Sequence, residues 1–273
     1  RFGTPRNVGE NPAGPVVITF NAKGVTDSTK ASVTLMDKNK KTIKTFSTDG
    51  KDKIDIQKGL NQFAWDLQYP PAEPSEGMIL WNGAPGTITA PPGNYFAKVK
   101  VGTDSAEVPF VIKADPNYKL TQAEYDEQFS FLLSVQQKFN DVQKGIKDIR
   151  ALRTQINEFI ARQGKDCPKE IKDMAASITK ELTSIEETLY QTKSKSGQDP
   201  LNYPIRINDK LSGVFDAANS GFNAPSKQSK EVFAELSKQA DEQLNKLKKI
   251  VAEDVPKFNQ LIREKSLPVI GVK

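Results

Sequence analysis

Two different hydrophobic periodicities divide the chain. Between residues 15 and 113, short apolar runs alternate with polar positions and are separated by turn residues, as at 95–101 and 108–112. Successive side chains of a strand point to opposite faces, so this alternation predicts about eight short β-strands. Strands of this number and spacing are typical of a sandwich or a barrel.

After Pro116 the apolar spacing becomes helical. Thr121 can cap a helix and Glu124 can reach back to it, which together form a capping box. Apolar side chains then follow three or four positions apart: Leu132, Val135, Phe139, Val142, Ile146, Ile149, Ile156 and Ile160. This seam predicts a long helix packed nearly parallel to its neighbours, ending near Gly164.

Three more helices are predicted downstream. The second begins after Pro168, and the third has Pro204 in its first turn. Ser226 is expected to cap the fourth helix, and Pro256 is expected to kink it. Because each helix carries its own apolar seam, the four can cover one another as an up-and-down bundle.

The predicted fold class is therefore a multidomain all-β plus all-α protein. An Ig-like β-sandwich occupies 15–115, and an antiparallel four-helix bundle occupies 119–273. Residues 1–14 are interpreted as a linker or N-terminal extension. The loop-like opening at Arg1 suggests a fragment or a processed product of a longer protein.

The composition excludes several kinds of catalytic and metal-binding site. The chain of 273 residues has one cysteine, Cys167, and no histidine, which excludes an internal disulfide, a Ser-His-Asp triad and an ordinary zinc site. We expect no metal, no cofactor and no catalytic residue, and an unreactive, exposed Cys167. The net charge of +5 comes from lysines interspersed with acidic residues, so no nucleic-acid partner is expected. No apolar run is long enough to span a membrane.

Three aromatic residues are candidate ligand-binding residues. Trp81, Tyr69 and Trp65 could line a carbohydrate groove beside the long 70–92 loop, since aromatic faces stack on sugars and long loops often carry function. The alternative is that these aromatics fill the core of the β-rich region.

Acidic residues offer weaker candidates. Glu181, Glu186 and Glu187 could supply paired carboxylates, but the apolar seam of their helix predicts a solvated face instead. Asp66 is expected to bond turn backbone. The polar 197–204 segment could bind a partner, or its Asp and Asn could cap the third helix.

Two sets of motifs resemble a known family. GLNQFAWDLQYP at 59–70, followed by PPGNY at 91–95, is similar to a pattern found after the β-propeller of BNR-repeat, sortilin-like proteins of Bacteroidetes, often labelled glycosyl hydrolases. The first region also resembles the Ig-like domain of flagellar hook-capping proteins. LYQT and QDPLNYPIR at 189–206, with PKFN at 256–259, resemble the helical tail of the BNR family.

This resemblance implies an exported protein, in the periplasm, at the cell surface or outside the cell, with its propeller before Arg1. The first hypothesis is a non-catalytic C-terminal accessory module that packs on that propeller or on another protein. The second is a carbohydrate-binding accessory region that uses Trp81. The third is a glycoside hydrolase fragment, although the resemblance puts any activity on the propeller and none on this chain.

Overall fold

The computed structural model describes residues 14–26 and 28–267, so the prediction for residues 1–13 lies outside the described part. The chain contains both sheets and helices and is a mixed β and α protein. Its backbone contacts divide it into two compact units. The β unit comprises Arg1–Pro70 and Thr87–Phe129, and the helical unit comprises Pro71–Gly86 and Ser130–Lys273.

The β unit contains three antiparallel sheets. Its strands are β1 (Val16–Ala22), β2 (Ala31–Met36), β3 (Thr42–Ser47), β4 (Gly59–Trp65), β5 (Gln68–Tyr69), β6 (Ile88–Thr89), β7 (Gly93–Val101) and β8 (Asp104–Ile112). The largest sheet has the order β3-β2-β7-β8, while β1 pairs with β4 and β5 with β6. The division between the units therefore does not follow the chain order, because the segment between β5 and β6 belongs to the helical unit.

Residues from several strands form one apolar core in the β unit. Its buried members are Ile18, Val33, Leu35, Ile43, Trp65, Ala90, Tyr95, Ala97 and Ile112. The rings of Trp65 and Tyr95 meet edge to face with centroids 6.0 Å apart. Burial raises the pKa of Tyr95, whose hydroxyl donates to the carbonyl of Pro91 at 2.8 Å. The alternating pattern thus places large aromatic residues inside, where they exclude water.

The helices are α1 (Gln122–Gln163), α2 (Lys169–Leu189), α3 (Ile207–Ala218), α4 (Lys227–Lys249) and α5 (Val255–Glu264). A π turn, Ile250–Asp254, joins α4 to α5, and short 3₁₀ turns occur at Gly164–Asp166 and Asp199–Leu201. In the part of the chain that the structure describes, none of these helices has the length and apolar character needed to cross a membrane.

The predicted helix caps are confirmed at two helix starts. The Thr121 amide donates to Glu124 Oε2 at 2.7 Å, and the Glu124 amide donates to Thr121 Oγ1 at 3.3 Å. The bond from the Thr121 amide is the largest cause of the lowered pKa of Glu124. At the start of α4, Ser226 Oγ accepts from the Ser229 amide at 3.0 Å. Each cap satisfies amides that lack a partner within the helix.

One predicted helix detail is wrong: helix α3 begins at Ile207, so Pro204 precedes it instead of lying in its first turn. The predicted fourth helix is divided into α4 and α5 near Pro256, which lies in the first turn of α5 directly after the π turn Ile250–Asp254. Proline cannot donate a backbone hydrogen bond, and the wider π turn changes the bonding register just before it.

The predicted seam of α1 is buried in the helical unit. Side chains fully removed from solvent include Val135, Phe139, Val142, Ile146 and Ile149. A β-carbon added at Gly145 would lie 2.6 Å from Leu244 Cδ2, so the missing side chain lets α1 and α4 approach closely. The helices are therefore held by apolar packing, as their spacing predicts.

Candidate functional site

The segment Pro71–Gly86, called here the 71–86 loop, is bonded to helices of its own unit along much of its length. The Ser75 amide donates to Gln143 Oε1 at 3.2 Å, and the Ile79 amide donates to the Tyr190 hydroxyl at 3.2 Å. These bonds replace the water that a surface loop would otherwise bind. The loop is therefore part of the helical unit's structure.

Asp209, in the first turn of α3, is the central anchor of this loop. Its Oδ2 accepts from the Trp81 amide at 2.7 Å, and its Oδ1 accepts from the Asn82 amide at 3.0 Å and from Asn82 Nδ2 at 3.1 Å. The residue is only 4% exposed, so these bonds are sheltered from water. One buried carboxylate thus fixes the backbone of two successive loop residues.

Neighbouring residues complete the anchor. Asn208 Oδ1 accepts from the Asp209 amide at 2.8 Å, and Asn208 Nδ2 donates to Met78 Sδ at 3.2 Å. A β-carbon at Gly213 would lie 3.1 Å from Asn82 Nδ2, so glycine gives Asn82 the room to approach α3. The loop is consequently seated by both bonding and close packing.

The Trp81 side chain stays half exposed although its backbone is fixed. Its relative exposure is 50%, whereas the other tryptophan, Trp65, is 1% exposed. Large aromatic side chains with little conformational freedom lose little entropy when a partner covers them. The geometry therefore presents the Trp81 side chain to solvent from a backbone that is held in place.

An apolar groove lies beside the anchor, between α3 and α4. It has a volume of about 770 Å³, and Asn82 is one of its lining residues. Its apolar lining consists of Ile205, Val214, Ala217, Val232 and Leu236. Lys210 lies on the α3 side, and Glu231 and Glu235 lie on the α4 side. The volume is within the usual range for ligand-binding clefts.

The three predicted ligand-binding residues have different environments. Trp65 is buried in the core of the β unit, and its Nε1 donates to the Gln68 carbonyl at 3.3 Å. Tyr69, in the same unit, meets Phe129 edge to face at 4.9 Å, and burial raises its pKa to about 12. Trp81 belongs to the helical unit. The structure therefore offers the exposed face needed for stacking at Trp81 and not at Trp65.

The predicted solvated face of α2 is wrong for Glu186. This carboxylate is buried, and its oxygens lie 2.7 Å from Arg150 Nε and 2.7 Å from an Arg153 terminal nitrogen. The guanidinium of Arg150 also lies over the ring of Tyr190 at 5.4 Å. Glu186 thus joins α1 to α2, whereas Glu187 is exposed as predicted.

Other sequence predictions are corrected in part. Cys167 is 5% exposed and not the exposed thiol that was expected, because it packs at the start of α2. Asp199 does not cap α3; it accepts from the Lys195 and Ser196 amides, which lower its pKa. Asp66 bonds the turn backbone as predicted, accepting from the Gln68 amide at 3.0 Å.

Within residues 14–26 and 28–267, no group of three or more Cys, Asp or Glu side chains is arranged to hold a metal ion. Comparisons of the chain with protein-family models, with curated proteins and with solved structures found no match. The candidate site therefore rests on its own geometry: a half-exposed Trp81 on a held backbone, next in sequence to a residue that lines the α3–α4 groove.

The anchor itself is absent from the sequence predictions. Asp209 is in the first turn of a helix, where acidic residues are common because they complement the helix dipole. The available signal was its position in the chain between Ile207 and Leu211, two apolar residues of the predicted seam of that helix that are buried in the structure. A charged residue at such a position indicates a specific partner.

Proposed function

We propose that this chain is a non-catalytic accessory module that binds another protein through the surface formed by Trp81 and the α3–α4 groove, called here the Trp81 surface. The observation that carries the proposal is a half-exposed Trp81 side chain on a backbone that Asp209 holds through the Trp81 and Asn82 amides. Tryptophan is enriched among the residues that dominate the binding energy of protein interfaces.

In this proposal the β unit is an Ig-like β-sandwich and the helices form an antiparallel four-helix bundle. Support for the sandwich comes from a core to which β1, β2, β4 and β7 all contribute. Support for the bundle comes from contacts of α1 with α2 through Arg150 and Glu186, and of α1 with α4 through Lys138 and Asp241.

The proposed partner is a β-propeller of the same exported protein, encoded before Arg1. The motifs at 59–70 and 91–95, together with those at 189–206, support this assignment by their resemblance to the region that follows the propeller of BNR-repeat, sortilin-like proteins. The proposal assigns no catalytic role to this chain. The one buried glutamate of α2 is paired with two arginines, which suits a structural role.

The test begins with the gene sequence upstream of Arg1, which is expected to encode propeller repeats. That upstream region is then produced separately, and its binding to this chain is measured by isothermal titration calorimetry. We expect binding that Trp81→Ala weakens by roughly tenfold or more, as for an interface hot spot. Tyr118→Ala, at an exposed aromatic of the β unit, is the matched control. An upstream sequence without propeller repeats would overturn the assignment.

A carbohydrate-binding accessory region is the alternative function, favoured by the half-exposed Trp81 indole. Sugar recognition combines such a face with polar groups that bond the hydroxyls. The groove carries polar side chains as well, among them Lys210, Gln228 and Glu235, so the feature that favours a protein partner is its aliphatic area, which a partner's apolar side chains would cover. Glycan-array binding that Trp81→Ala abolishes, without binding to the upstream region, would select the alternative.

A further inference from the structure

The Trp81 surface combines a projecting side chain with an adjacent cavity. Trp81 projects with half of its side chain exposed, and the next residue, Asn82, lines the α3–α4 groove. Trp81 is not among the residues that line this groove, so its own indole does not fill it. An exposed aromatic residue and a residue lining a groove are therefore consecutive in the helical unit.

We propose that the Trp81 surface binds a second copy of this chain, with each Trp81 indole inserted into the α3–α4 groove of the other copy. This inference rests on the proposed role of the surface in protein binding, and it names a second copy as an occupant that would compete there with the propeller. A groove of about 770 Å³ whose lining includes five aliphatic side chains can accept an indole.

The adjacency of Trp81 and Asn82 favours a closed dimer. In a two-fold symmetric interface the same patch of both copies meets, so every contact occurs twice. Head-to-tail contacts, in which different patches meet, instead give rings or open chains. Because Trp81 and Asn82 are consecutive residues, one rotation can satisfy both insertions at once.

The charges beside the groove are also self-complementary. Within the described residues, Lys210 on the α3 side makes no ion pair, and neither does Glu235 on the α4 side. Glu231, next to Glu235 on the same side, has only an exposed contact with Lys227 at 3.6 Å. When two copies meet about a two-fold axis, Lys210 of one copy can face the acidic α4 side of the other. Opposite charges so placed set the register of an interface.

The first experiment measures mass in solution by sedimentation equilibrium over a range of concentrations. The wild-type chain is expected to reach twice its 30.2 kDa monomer mass. Trp81→Ala and Val232→Asp are expected to stay monomeric, whereas Tyr118→Ala dimerises like the wild type. Circular dichroism confirms that each variant is folded. A monomeric wild type at concentrations up to about 100 μM, where weak interfaces still associate, would overturn the proposal.

The second experiment exchanges charges. Lys210→Glu and Glu235→Lys each place like charges opposite one another, so each variant alone is expected to dimerise roughly tenfold more weakly. An equimolar mixture of the two variants restores opposite charges at both contacts and is expected to form a mixed dimer. Dimerisation that neither charge reversal weakens, or a mixture no stronger than its components, would refute the proposed register.

These results separate the inference from the proposed function. If the wild type is monomeric but Trp81→Ala weakens binding to the upstream region, the protein-binding surface stands and self-association fails. If the chain dimerises through Trp81 but does not bind the upstream region, the self-association stands and the propeller assignment fails.

Discussion

Replacing Asp209 by asparagine tests whether one carboxylate holds the 71–86 loop. Asparagine has nearly the same shape, but only one of its two terminal atoms can accept a hydrogen bond. In the wild type each oxygen accepts from a different amide, Oδ2 from Trp81 and Oδ1 from Asn82. In Asp209→Asn, an amide NH₂ group therefore faces one of these two N–H donors.

The expected cost follows from this mismatch. A buried donor left without an acceptor costs about 1–3 kcal/mol, so we take about 2 kcal/mol for opening the loop around Trp81. Hydrogen exchange of the Trp81 amide should accelerate by roughly 30-fold if exchange proceeds through local opening. Amide exchange followed by NMR or mass spectrometry measures this acceleration directly.

A matched variant is available on the same helix. Asp216→Asn changes an exposed carboxylate of α3 and is expected to leave Trp81 exchange unchanged. The far-UV circular dichroism of Asp209→Asn should match the wild type, because the helix seams are intact. If the Trp81 amide exchanges at the wild-type rate in a folded Asp209→Asn variant, the anchoring role of Asp209 is refuted.

Three further predictions concern other groups. Glu186→Gln removes the negative charge that pairs with Arg150 and Arg153. Because both arginines are partly exposed, we expect the free energy of unfolding to fall by only about 2 kcal/mol. Urea denaturation measures this loss, and an equal loss in the exposed control Glu187→Gln would contradict it. Asp199 has a lowered pKa in the folded state, so its stabilisation of the adjoining turn is present above pH 3.8 and lost as pH falls through its folded pKa. The NMR chemical shift of the Lys195 amide should change with pH as Asp199 titrates. This pH dependence should be absent in Asp199→Asn. Tyr69 has a raised pKa, so its contribution is present below pH 10.0 and lost as pH rises towards about 12. Tyrosine ionisation followed by absorbance at alkaline pH measures the pKa of Tyr69, with Tyr69→Phe as the reference.

Local patterns predicted the parts of the fold that depend on near neighbours. The Thr121–Glu124 capping box and the Ser226 cap are confirmed, because a cap involves residues only three positions apart. The predicted start of α3 was wrong, since the helix begins at Ile207, three positions after Pro204. Helix boundaries depend on weak local preferences that packing overrides.

The parts that were not predicted depend on partners distant in sequence. Glu186 looked solvated because its arginine partners are on another helix, 36 positions away at Arg150. The backbone of Trp81 is held by Asp209, 128 positions away. One sequence provides no pairing information over such distances, whereas the helical and strand periods repeat within a few residues.

The anchoring of the 71–86 loop also has a consequence for the order of events during synthesis. Within this loop, Trp81 is synthesised 128 residues before Asp209. At ordinary elongation rates of about 5–20 residues per second, the Trp81 segment waits roughly 6–25 s for its anchor. During that interval the Trp81 and Asn82 amides of the nascent chain lack their acceptor, because α3 has not yet been synthesised. A ribosome stalled before α3 should therefore hold a chain in which this loop is cut by protease, and release of the complete chain should protect it.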